Sequence, residues 1–135
     1  NTLFITVISF AIALLLGVAF GLMRVGENRV ASGVSKVYVA ISRGTPILVW
    51  AFFFYFGVPQ LIGHSVNIWI AGALTLSLNS GAYLAEIVRG AIQAVDPGQM
   101  EGARSLGLNR RQSMARVILP QASKIAMPSV INQLV

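Results

Sequence analysis

Glu27, Glu86, Asp96, Glu101 and the single His64 are the only side-chain carboxylates and the only imidazole of this chain, which contains no cysteine. Catalysis at membrane depth would need paired acids, a nucleophile beside its base, or a metal. The four acids map to helix ends and loops without pairing across a span. One histidine supports neither a His-rich metal site nor a Ser-His-Asp apparatus. Without thiols there are no disulfides and no thiolate ligands. Lys36 and Lys124 each follow a serine, so no Gly-x4-Gly-Lys-Ser/Thr loop is present to cradle ATP. The residues whose types and spacing do stand out carry a different chemistry, that of docking. They run from Met100 to Gln121 as MEGARSLGLNRRQSMARVILPQ, polar, basic and punctuated by glycine.

Each half of that stretch has its own start signal. Asp96-Pro97 supplies an N-cap and a first-turn proline, with Gln99 spaced to close a capping box. Gly107 stands where a left-handed residue would end that helix, and Asn109 with Gln112 repeats the cap pattern. Met114, Val117 and Ile118 then form an apolar stripe, and Pro120 is the expected end of the second helix. Glu101 falls in a first turn, where a carboxylate offsets the helix dipole. Ala103 is small enough for a close helix approach and is also the best helix former. Arg110, Arg111 and Arg116 read first as solvated or headgroup-facing cations, since anionic lipid attracts each near-surface cation by about 1 kcal/mol.

The elements that hold this pair are membrane spans. The 135 residues allow at most one domain, and 56% hydrophobic against 10% charged lies far outside soluble averages. Starting on Asn1 and stopping at Val135 in a partly apolar run, the chain is expected to be a fragment, and residues 1–23 lack the pattern of a signal peptide. Leu3 to Met23 is uncharged and long enough for roughly 30 Å of helix. The uncharged block from Gly44 to Ala85 is too long for one crossing, and Gly63-His64-Ser65 splits it into spans of about 46–62 and 68–85. Thr45 is placed as N-cap and Pro46 as first helical residue of the former. Val30, Val34, Val37 and Ile41 at helical spacing predict an amphipathic helix lying on the inner membrane face or packed on the bundle. Arg24, Arg29, Lys36 and Arg43 form one basic cluster, and Arg89, Arg104, Arg110, Arg111, Arg116 and Lys124 another. Both belong inside by the positive-inside rule, with the 63–67 turn outside and the 96–120 pair in the cytoplasm. Residues after Lys124 look like the first turns of a fourth crossing. The fold class expected is therefore all-α, a polytopic membrane bundle of about three spans with the start of a fourth.

These residues match a known pattern. Glu101-Gly102-Ala103, three residues, Gly107, nine residues, then Val117-x-Leu119-Pro120 resembles the EAA loop of bacterial ABC importer permeases, Glu-Ala-Ala, three residues, Gly, nine residues, Ile-x-Leu-Pro. Gly102 and Val117 are its mild departures. Arg43-Gly44-Thr45-Pro46 with the aromatic run Phe52 to Phe56, and Asn79 through Arg89 (NSGAYLAEIVR), resemble the polar amino acid branch of that family. Gly98-Gln99 and Leu119-Pro120-Gln121-Ala122 fit the same branch. The likeness covers nearly the whole chain, as one MetI-like transmembrane domain over 1–135. It implies a multi-pass permease subunit of the bacterial plasma membrane, importing polar amino acids. It further implies that a separate ABC ATPase subunit grips the loop through Glu101, Gly102, Ala103, Gly107, Val117, Leu119 and Pro120. A second permease subunit, identical or not, and an external substrate-binding protein complete the implied partners, alongside membrane lipid. No cofactor and no nucleic acid is called for.

Within the third span Asn79 and Ser80 are polar at membrane depth and Glu86 caps its inner end, which makes them candidates for the translocation path. Interhelical hydrogen bonding explains Asn79 and Ser80 equally well. The run Phe52–Phe56 reads as lipid-facing and interfacial packing, and Thr6 and Ser9 carry no functional reading. A helix-turn-helix DNA reader is disfavoured because Ser113, six after the glycine, is polar where an inward residue is needed, and because the pair sits between spans. Permeases for peptides, metals or sugars share the loop; Arg43–Pro46 and Asn79–Tyr83 are what favour amino acids.

Overall fold

The computed structural model describes residues 1–135 and consists of helices joined by short turns, without strands. Its elements are α1 (Thr2–Val25), α2 (Arg29–Gly44), α3 (Ile47–Phe52), a π turn (Phe53–Gly57), α4 (Val58–Ile62), α5 (Ile68–Ala94), α6 (Pro97–Ser105), α7 (Arg110–Ser113), a second π turn (Met114–Ile118) and α8 (Leu119–Leu134). They form two compact units, Asn1–Glu86 and Ile87–Val135.

In the first unit α1 turns its smallest residues inward. Ser9, Ala13, Gly17 and Gly21, four apart, are its buried positions, while Leu3, Phe4, Val7 and Leu15 face out. This is the membrane arrangement, in which lipid is as apolar as leucine and small residues let backbones approach. Approach is close at Gly17, where an added Cβ would meet the Leu84 carbonyl carbon at 3.1 Å and the Ala85 nitrogen at 3.2 Å. Hydroxyls then tie the helices to one another's main chain. Ser35 Oγ donates to Phe20 O at 2.7 Å, Tyr38 Oη to Leu78 O at 2.6 Å, and Ser77 Oγ to Ser9 O at 3.3 Å. The Tyr38 ring also packs on Phe20 at 4.4 Å between centroids.

Helix α2 resolves the choice left by its periodicity. Asn28 caps it, accepting from Val30 N and Ala31 N. Its buried residues are Ser35, Val39 and Ser42, and the Val30, Val34, Val37 and Ile41 stripe is exposed. The polar side packs on the bundle and the apolar side looks out. That inversion is stable only where the surroundings are themselves apolar.

Span two begins one residue later than expected. Thr45 is extended, as the residue before a proline tends to be, Pro46 is the N-cap with no side-chain bond, and α3 starts at Ile47. The Ile47–Ile62 run covers only roughly 24 Å at 1.5 Å per residue, short of a bilayer core. It leaves α2 at 101°, and the bent pair together is apolar and long enough to cross, as α1 and α5 are singly. Gly63, at φ +76°, ends the run, and Asn67 opens α5 by accepting from Trp69 N at 2.8 Å. Helix α5 runs on to Ala94, nine residues past the expected end.

In the second unit Ala91, Ile92, Val95, Ala103, Ile118 and Ala122 are the buried apolar residues. Pro120 does not end the second helix there. Helix continues from Arg110 to Leu134 because the Met114–Ile118 turn is widened, with Leu119 N donating to Met114 O five residues back. The same device occurs at Phe53–Gly57, where Val58 N reaches Phe53 O, and Pro59 follows as Pro120 does. A proline inside an α-helix lacks its N–H and crowds the carbonyl four residues back. A π turn just before the ring makes room for it and lets the helix carry on. The fourth apolar segment is thus helical from Leu119, ahead of Lys124, with Pro128 inside it.

Candidate functional site

The Asp96–Gln121 pair is built from local signals that mostly act as their chemistry dictates. Asp96 accepts from Gly98 N at 2.8 Å and Pro97 opens α6. The capping box expected there is not closed. Gln99 instead accepts at Oε1 from Gln121 Nε2, 3.1 Å away and 22 residues on. Helix α6 ends in a Schellman turn: Leu108 N donates to Ala103 O at 3.3 Å and Gly107 N to Arg104 O at 3.0 Å. Gly107 has φ +89°, and an added Cβ would meet nothing within 4 Å. Its constraint is therefore the backbone angle, not space. The second box does close, Gln112 N to Asn109 Oδ1 at 2.9 Å and Asn109 N to Gln112 Oε1 at 3.0 Å.

Of the loop residues, Ala103 faces inward at 5% exposure, while Glu101, Gly102 and Gly107 are exposed. Because α6 starts at Pro97, Glu101 lies beyond its first turn, not within it as expected. Val117, in the π turn, and Leu119 are half-buried, and Pro120 is exposed. The motif therefore divides between an outer edge and an inner anchor. Ser113 is fully buried, so its polarity was no bar to an inward position. Its hydroxyl has no partner within the chain.

The three candidate path residues lie in the first unit, apart from this pair in sequence. Asn79 Nδ2 donates to Ser42 O at 3.4 Å and Ser80 is half-buried. Glu86 is held between cations, Oε1 3.4 Å from Arg24 and Oε2 3.6 Å from Arg43, whose guanidinium also lies 5.2 Å from the Tyr83 ring centroid. Asn79 and Glu86 thus work at least as ties joining α5 to α1 and α2. No group of three or more acidic, histidine or cysteine side chains is placed to hold a metal.

Residues 5–135 match the family described as the inner membrane component of binding-protein-dependent transport systems. The chain belongs to that family. It is 42% identical over 134 residues to a putative glutamine transport system permease protein of Rickettsia bellii, covering 99% of this chain and 62% of the relative. It is 39% identical over 134 residues to the arginine transport system permease protein ArtQ of Bacillus subtilis, covering 99% and 61%. A crystal structure of an amino acid ABC transporter with histidines superposes at a TM-score of 0.90 with 40% identity, covering 98% of this chain and 62% of that one. The chain spans about 62% of the length of these relatives.

Two residues of this membrane component escaped the sequence reading. Leu106, at the C-cap of α6, is 85% exposed at the tip of the pair, whereas Leu108 beyond the glycine is half-buried. The two leucines are alike in type, and only the left-handed turn between them separates their surroundings. Gln121 was visible only as part of a matching tetrapeptide. Its role depends on a partner brought close by the turn.

Proposed function

We propose that this chain is the central part of the permease subunit of an ATP-binding-cassette importer for polar amino acids in the bacterial plasma membrane. The observation that carries the reading is the α6–α7 pair, two short capped helices with Gly107 at the turn between them, in a chain whose relatives are glutamine and arginine permeases. In this reading the pair faces the cytoplasm, where both basic clusters belong, and sits in a groove of a separate ATPase subunit. Ala103, Val117 and Leu119 root the pair, and Glu101, Gly102, Gly107 and the exposed Leu106 and Pro120 form the edge that is gripped. Closure of the ATPase subunits on ATP pushes that edge, and the spans tilt between outward- and inward-open states. A second permease subunit completes the pathway, with Asn79, Ser80 and Glu86 at or beside it, and an external binding protein delivers the substrate. The chain itself performs no hydrolysis.

The test is co-purification of the full-length permease with its ATPase partner, followed by uptake of labelled polar amino acids into proteoliposomes. ATP-dependent uptake of at least one is expected. Uptake indifferent to ATP, or none across a panel of glutamine, arginine, histidine and glutamate, would sink the reading.

A further inference from the structure

We propose that Gln121 is a clasp that makes α6 and the helix leaving the π turn move as one body, so that a push on the tip reaches α8 undiminished. The proposal rests on the importer reading above. Its basis is the use of both hydrogens of one amide. Gln121 Nε2 donates to Val117 O at 3.1 Å and to Gln99 Oε1 at 3.1 Å. A carbonyl oxygen only accepts, so the first bond fixes which way the Gln121 amide is turned. That orientation in turn obliges Gln99 to present its oxygen. Gln99 does so by abandoning the local capping box that its spacing from Asp96 would permit: the Asp96 carboxylate accepts from Gly98 N, and Gln99 N donates to the Asp96 backbone carbonyl instead of to its side chain.

The location gives the contact its purpose. A π turn is the place where a helix is wider and its ladder less regular. The Met114–Ile118 turn lies between the capped start of α7 and the apolar α8, where a force passed along the chain would be lost to bending. The clasp bridges that place from both sides: it holds a carbonyl of the turn itself and the first turn of α6. One residue thereby closes a loop of 22 residues around the candidate coupling edge.

The polarity of the bonds predicts an asymmetry that a general structural role would not produce. Gln99→Glu keeps an acceptor and restores the contact, whereas Gln121→Glu removes both donors and turns an anion toward the Val117 carbonyl. In full-length permease reconstituted with its ATPase, Gln121→Glu is expected to lower amino acid uptake per ATP hydrolysed about ten-fold, the effect of two lost hydrogen bonds. The ATPase should still co-purify, and Gln99→Glu should stay within about two-fold of the unaltered protein. In full-length permease whose remaining cysteines, if any, are replaced, Gln99→Cys with Gln121→Cys should show the same loss as Gln121→Glu, and joining the two thiols with a short bifunctional reagent should recover uptake per ATP. No recovery on joining would overturn the clasp. So would wild-type uptake per ATP in Gln121→Glu. Absence of ATP-driven uptake in the unaltered protein would instead sink the importer reading, and the clasp with it.

Discussion

Two glycines show how one residue type answers to opposite constraints. Gly107 has open space but a left-handed backbone, so a side chain there pays about 1–2 kcal/mol in backbone strain. Gly107→Val is expected to leave the protein inserted while fraying the end of α6, seen as faster amide exchange at 103–108 and loss of ATP-coupled uptake. Gly107→Asn should be milder, because asparagine visits that region more readily. Gly17 is the reverse case, with ordinary helical geometry and no room beside Leu84 and Ala85. Gly17→Ala should lower the melting temperature in detergent by several degrees, through displacement of α1. Gly33→Ala, in α2 with nothing within 4 Å, should raise it slightly, since alanine is favoured over glycine in a helix by about 1 kcal/mol. Equal effects at positions 17 and 33 would show that the α1 approach is not as close as described.

Helices in this protein are shaped by what surrounds them as much as by their own pattern. The two π turns each precede a proline, whereas Pro128 is carried inside α8 without one. Pro120→Ala restores an N–H and removes the ring, so the Met114–Ile118 turn should revert to regular α geometry. A higher melting temperature together with weaker coupling is the expected result, because the register of everything after the turn would change. Raised stability with full coupling would show that the turn has no mechanical part. The Glu86 cluster binds three helices at one point. Loss of the carboxylate strands two cations, loss of Arg24 removes the shorter and less exposed contact, and loss of Arg43 the longer and more exposed one. Destabilisation should therefore fall in the order Glu86→Ala, Arg24→Ala, Arg43→Ala, by melting in detergent. All three sites are partly open to solvent, so each effect is modest.

For the whole molecule, the distribution of charge and apolar surface makes one further prediction. Ten lysines and arginines lie in two clusters, with none between Gly44 and Ala85. In the proposed orientation, a cysteine at His64 reacts with an impermeant thiol reagent added outside intact cells. One at Leu108 reacts only after the inner face is opened. Labelling of the Leu108 site from outside would invert the topology and leave the helical pair out of reach of any ATP-driven partner.

What could be read without coordinates was what short-range chemistry decides. The spans follow from uninterrupted apolar length, the Asn109–Gln112 box from two side chains three residues apart, and Gly107 from an angle that only glycine adopts at low cost. Three features lay beyond those signals. The period of α2 announced a stripe at Val30, Val34, Val37 and Ile41 but not its direction, because in lipid the sign of burial reverses and serines pack inward. The spacing of Gln99 predicts a bond to the nearest cap, yet a partner 22 residues away outcompetes it once the turn brings the two together. Pro120 read as a stop because an isolated α-helix cannot accept it, whereas a helix free to widen by one residue can. Periodicity and capping are properties of a few neighbouring residues, and competition among distant partners is settled only when the chain is folded against itself.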